Sequence, residues 1–152
     1  MTLFLDAVGT LIHPVEPVGQ TYARHLEECT GETVSPERMQ AAFQRLFTIS
    51  SSPEYGDHLS GHAAEHSWWR GLVQEILLTI EAPRALQHEE GLFDTYFNSL
   101  FQHYSTPSAW KLYPETTEFL EAAGPLGPLA VVSPFADRLI PPAMLRAVVP
   151  PR

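Results

Sequence analysis

The first apolar cluster of the chain is a short unbroken run, Leu3-Phe4-Leu5, closed by the carboxylate of Asp6. A parallel strand buried on both faces reads as such a run, and ligands sit beyond the carboxyl ends of these strands. The period then changes. Val18, Tyr22, Leu26 and Cys29 recur at helical spacing and predict a helix over residues 18–29, closed by Thr30-Gly31. Ser35-Pro36-Glu37 is a helix start, with a capping hydroxyl, a first-turn proline and an early acid. Met39, Ala42, Phe43, Leu46 and Phe47 continue it as an apolar stripe. Trp69, Leu72, Val73, Ile76 and Ile80 predict a helix over residues 63–80. Phe93, Tyr96, Phe97, Leu100, Phe101 and Tyr104 predict another over residues 90–104. Aromatic stripes of this kind read as helix-packing core.

Between these elements, His13-Pro14-Val15-Glu16-Pro17 reads as a loop, because two prolines oppose both helix interior and strand pairing. Residues 50–56 form a second loop. Trp110-Lys111-Leu112-Tyr113-Pro114-Glu115 leads into a short helix that turns Phe119, Leu120 and Ala123 inward. After a Gly/Pro turn, Leu129-Ala130-Val131-Val132 is a second apolar strand, ending at Ser133. The proline-rich residues 141–152 read as a frayed tail. The order is strand, helical insert, strand, and the fold class is α/β.

Composition narrows the function. A chain of 152 residues suits one ordinary domain, and 44% hydrophobic with 18% charged residues suits a globular one. A net charge of −9 leaves no basic surface for nucleic acid or an anionic membrane. Cys29 is the single cysteine, so no internal disulfide forms, and no apolar run approaches a membrane span. A cytoplasmic location is the expectation.

The chemistry begins at Asp6. A carboxylate at a strand end can act as a nucleophile and split a displacement into two steps through a covalent intermediate. Gly9 lets the backbone leave the strand tightly, and the Thr10 hydroxyl can hydrogen-bond an anion.

Asp6-Ala7-Val8-Gly9-Thr10-Leu11 resembles the first motif of the haloacid dehalogenase-like (HAD) hydrolase superfamily. The form is similar to the haloacid dehalogenases and to the HAD domain-containing protein 3-like branch. In its phosphatases the motif is Asp-x-Asp-x-Thr, whose second Asp protonates the leaving oxygen. Val8 stands at that position here and cannot donate a proton. The second family motif is an apolar strand ending in Ser or Thr, matched by Val131-Val132-Ser133. The related branch continues Ser-Asn-Phe-Asp-x-Arg-Leu. This chain keeps Phe135, Arg138 and Leu139 in register but has Pro134 for Asn and Ala136 for Asp. Trp68-Trp69, Trp110 and Pro114-Glu115 are similar to that branch as well.

The resemblance implies a partial HAD-like Rossmannoid core of two strands at residues 1–15 and 108–140, with a helical cap at 16–107. It implies Asp6 as nucleophile, Thr10 and Ser133 as phosphate-binding residues, and a small phosphate ester as substrate. It also implies Mg²⁺, held by Asp6 and the main-chain carbonyl of Val8. The family further uses a lysine after the second motif and a late acidic pair. Here the single lysine, Lys111, precedes that motif, and the last carboxylate side chain is Asp137. The expectation is a C-terminally truncated member, inactive or impaired as a phosphatase, whose open sheet edges favour self-association.

Three other readings stand beside this one. Halide leaves without a proton, so Asp6 with Val8 suits a haloacid dehalogenase. A non-catalytic helical interaction fragment is the second. His62-Ala63-Ala64-Glu65-His66 matches a zinc-peptidase pattern, against the plainer reading of exposed polar residues at a helix start.

Overall fold

The computed structural model describes residues 2–54, 61–83, 86, 89 and 91–132. Ser133, the residues after it and the end of the loop at 55–56 lie outside this set. The elements are β1 (Leu3–Leu5), β2 (Ile12–Pro14), α1 (Val18–Thr30), α2 (Pro36–Ile49), α3 (Gly61–Thr79), α4 (Leu92–His103), β3 (Trp110–Leu112), α5 (Thr116–Ala123) and β4 (Leu129–Val131). The chain divides into two units, one of residues 16–103 and one joining residues 1–15 to the chain from 104 onward.

The helical unit is built on the predicted stripes. Within it α1 packs on α2 and α4, and α3 packs on the same two helices. The largest fully buried side chains of the described chain, among them Tyr96, Phe97, Leu26, Met39 and Ile76, all belong to this unit. The start of α2 follows its sequence signal: Ser35 Oγ accepts from the Arg38 N–H at 3.2 Å, with Pro36 in the first turn. Such a cap is worth about 1 kcal/mol. Gly19 is set by close approach. A Cβ there would lie 2.3 Å from the Pro36 carbonyl oxygen and 2.6 Å from the Gln40 nitrogen. The Gly19 N–H donates to Gln40 Oε1 at 2.7 Å, so α1 and α2 meet backbone to backbone.

Buried polar groups in this unit are ordered by their donors. Ser99 Oγ donates to the Tyr96 carbonyl at 2.7 Å, which leaves its lone pair to accept from His25 Nδ1 at 2.9 Å. His25 Nε2 is then the unprotonated nitrogen, and it is buried without a hydrogen-bond partner. The His103 ring lies edge-on to it at 5.2 Å. Burial, with Arg24 nearby, holds both imidazoles below the ordinary histidine value.

In the other unit β1 and β4 pair in parallel, Leu3 opposite Leu129 and Leu5 opposite Val131. A second, antiparallel ribbon joins β2 to β3, with Ile12 opposite Leu112 and Pro14 opposite Trp110. Both halves of this ribbon correct the sequence reading, which made Pro14 part of a loop and Trp110-Lys111-Leu112 a lead into a helix. The physical reason is the alternation of an antiparallel ladder. Tyr113 N–H bonds the Leu11 carbonyl at 3.1 Å and Val15 N–H bonds the Ala109 carbonyl at 2.9 Å. These bonded pairs place Pro14 at a non-bonded site of the two-stranded ribbon, where its missing N–H costs nothing.

Leu11, Ile12, Ala109, Trp110 and Leu120 form the core here, joined by Leu5, Leu129 and Val131 from the parallel pair. On α5 the inward face is Thr116, Leu120 and Ala123, at helical spacing. Phe119 is a further correction. It lies at the flank of that face and is 46% exposed, where the sequence reading turned it inward.

Gly19→Ala adds a good helix former to the first turn of α1 yet forces its methyl into the α2 backbone. Overpacking of about 1–3 kcal/mol outweighs a helix-propensity gain of about 1 kcal/mol. The urea midpoint followed by far-UV circular dichroism falls; an unchanged or higher midpoint contradicts the close approach.

The histidine pair gives a pH dependence with a definite sign. Its folded values lie below the ordinary value of 6.5 that the unfolded chain shows, so the unfolded chain binds more protons below that pH. Stability is therefore full above about 6.5 and is lost as the pH falls towards the depressed folded values. Urea midpoints at about pH 7.5 and about pH 5.5 test this, the lower pH giving the lower midpoint. A midpoint that holds or rises on acidification contradicts the buried neutral pair.

Candidate active site at the end of the first strand

The site starts where β1 stops. Asp6 follows Leu5 directly, and the next six residues fold into a compact knot around one carbonyl. Ala7, 1% exposed, accepts at its carbonyl from the N–H groups of Thr10, Leu11 and Ile12, at 3.3, 2.8 and 3.0 Å. Gly9 N–H returns a bond to the Ile12 carbonyl at 2.8 Å. This reversal needs a residue in the left-handed region, and Gly9 supplies it with φ at +88°.

The knot brings Thr10 back to Asp6. Thr10 Oγ1 donates to Asp6 Oδ2 at 3.0 Å, and both side chains are exposed to solvent. Two of the residues singled out from the sequence therefore meet, and Gly9 makes the turn that joins them. Val8 points the other way in chemical terms. Its side chain is half-buried against the Leu11, Ile12 and Trp110 cluster, so an acid's usual position is filled by core packing. Ser133 lies outside the described residues. The described chain reaches Val132, whose N–H donates to the Leu5 carbonyl at 2.8 Å, beside the end of β1.

Sequence reasoning missed the residues facing this knot from the start of α5. Thr116 is buried and its Oγ1 donates to the Leu11 carbonyl at 2.8 Å, tying α5 to the knot. Tyr113 bonds that same carbonyl through its N–H and carries the His13 ring at 4.8 Å from its own. An open groove of about 500 Å³ runs between Gly9 and Thr10 on one side and Tyr113, Glu115 and Phe119 on the other. The signal available in the sequence was Pro114-Glu115, a helix start whose helical face carries Phe119 four residues on.

The fit of Mg²⁺ rests on the donor set. Mg²⁺ is held by one or two carboxylates together with substrate oxygens and water. Asp6 supplies one carboxylate, with Oδ2 already engaged by Thr10, and the Val8 carbonyl is the other donor implied. Among the described residues no three His, Cys, Asp or Glu side chains gather as a metal cluster. These donors do not complete a site on their own. Lys111 sits on β3 opposite His13.

The His62/His66 pair belongs to the helical unit. Both rings lie edge-on to Phe101, at 5.7 and 4.7 Å, and His66 also meets Phe97 at 4.9 Å. Glu65, read from the sequence as exposed, is 1% exposed. The two histidines therefore meet the aromatic stripe of α4, His62 exposed and His66 half-buried. No described helix is long and apolar enough to cross a membrane.

No family model matches the chain. A curated relative does: the haloacid dehalogenase-like hydrolase domain-containing protein 3 of Danio rerio is 28% identical over 137 residues, 88% of this chain and 53% of its own length. The chain thus spans about half the length of the curated relative it matches. The chain is a mixed α/β protein that is similar to this haloacid dehalogenase-like hydrolase domain-containing protein.

Proposed function

We propose that the chain carries the nucleophile end of an aspartate-dependent hydrolase site of the phosphatase type, acting on a small phosphate ester. The observation that supports it is the Thr10–Asp6 hydrogen bond at the carboxyl end of a parallel strand. Thr10 fixes the carboxylate through Oδ2, which assigns attack on phosphorus to Oδ1. Thr10 and Ser133 are the residues we assign to binding the phosphoryl group. Residues 16–107 serve in this reading as the substrate-selecting cap, the location is cytoplasmic, and the edges of the β1–β4 pair provide for self-association.

The departure of the leaving group, in the first half of the reaction, is where this chain is impaired. When the Asp6–phosphorus bond forms and the ester oxygen departs, that oxygen needs a proton. Val8 has none to give, and its side chain packs half-buried against the core instead. The lysine and late acids implied by the resemblance do not occur among these 152 residues. The chain by itself is accordingly inactive or strongly impaired as a phosphatase. Val8 favours one second reading: a carbon–halogen bond breaks without a proton donor, so displacement of halide by Asp6 avoids the missing acid.

Phosphate release from para-nitrophenyl phosphate with Mg²⁺ and chloride release from a 2-chloro acid are measured for the chain and for Asp6→Asn. No Asp6-dependent phosphate release is expected. Robust phosphate release that Asp6→Asn abolishes overturns the impairment. Chloride release lost in the same variant moves the assignment to dehalogenation.

A further inference from the structure

We infer that the groove beside Thr10 is a leaving-group subsite for an apolar or aromatic group that carries a positive charge. The inference rests on the reading of Thr10 as the phosphoryl end of the site. Its first support is the arrangement on α5. Phe119 N–H donates to the Glu115 carbonyl at 2.9 Å, so carboxylate and ring stand one helical turn apart on the same side of the helix. Both line the groove whose opposite wall is Gly9 and Thr10.

The second support is charge. Of the residues lining this groove, Glu115 is the one with a carboxyl or basic side chain, and the remainder of the wall is largely apolar. Among the described residues no cation pairs with Glu115; the ion pairs present are Arg24 with Glu16 and Glu28, and Arg70 with Asp94. The third is the exposure of Phe119, a large aromatic side chain outside the core face of its helix. An aromatic face with a carboxylate beside it attracts an ammonium group through both the ring quadrupole and the charge. Thr116, a second threonine of the groove, already donates to the Leu11 carbonyl.

A purely structural role for Glu115 also exists, since an acid at a helix N-terminus is favourable to the helix. The two roles separate by experiment. Calorimetric binding of phenyl phosphate and of its 4-(2-aminoethyl) derivative, tyramine phosphate, is compared without divalent ions. The ammonium derivative binds about five-fold tighter, in line with one exposed charge pair and one cation–π contact. Glu115→Gln removes this ratio while leaving phenyl phosphate affinity unchanged, and Phe119→Ala weakens both ligands. Both positions are exposed, and circular dichroism confirms that the variants fold. Equal affinity for the two ligands, no binding of either, or a ratio that persists in Glu115→Gln overturns the subsite. A loss confined to helix stability does so too. The phosphoryl reading is tested separately by Thr10→Val and by competition with inorganic phosphate. If neither affects binding while the ammonium preference persists, Thr10 is not the phosphoryl end and the cation subsite stands alone.

Discussion

Everything between Leu5 and Leu129 is the connection of one parallel strand pair. Antiparallel neighbours can be joined by two residues, but parallel ones need a crossover that carries the chain back to the same end of the sheet. Here the crossover contains α1 to α4, the β2–β3 ribbon and α5. The pairing of Leu3–Leu5 with Leu129–Val131 therefore decides where the site lies: both strands point their carboxyl ends the same way, and Asp6 follows one of them. Val132 continues the ladder past β4 through the Leu5 carbonyl, beside the end of β1.

Burial is distributed unevenly across this design. The helical unit holds Tyr96, Phe97, Leu26 and Met39 essentially out of solvent, whereas all of β4 is only half-buried and Phe4 on β1 is 71% exposed. Full burial of a large apolar side chain contributes about 1.5–3 kcal/mol, so the helices supply most of the driving force from packed side chains. The other unit relies more on its hydrogen bonds. The Ala7 carbonyl gathers three N–H groups, the Leu11 carbonyl two donors, and each bond contributes about 1 kcal/mol net. A site built on such a knot is geometrically definite even though its side chains are exposed.

Local packing then explains how the Asp6–Thr10 contact coexists with an apolar side chain at position 8. Residue 8 lies between a carboxylate that faces solvent and a turn that faces the core. Valine satisfies the second demand, packing on Leu11, Ile12 and Trp110, and abandons the first. The turn, the threonine contact and the aspartate survive this exchange because they depend on the Gly9 backbone and the Ala7 carbonyl, not on the side chain at position 8.

The sequence by itself determined the helices, the two apolar strands, the Ser35 cap and the Asp6–Thr10 motif. Each is a local matter of period, capping or a short turn, with partners a few residues apart. It also showed that residue 8 carries no proton donor, which needs only the identity of Val8. Tertiary structure decided what depends on residues far apart in the chain. Pro14 became a strand residue because Trp110, Val15 and Ala109 set a ladder alternation in which its absent N–H is not required. Glu65 became buried in the helical unit, and His66 partly so, where its ring meets Phe97 and Phe101 of α4. Phe119 was left at the flank of its helix because Thr116, Leu120 and Ala123 took the inward face. The groove beside Thr10 exists only when the start of α5 returns to the Leu11 carbonyl. A hydrogen bond spanning 105 positions has no signature in the spacing of either segment.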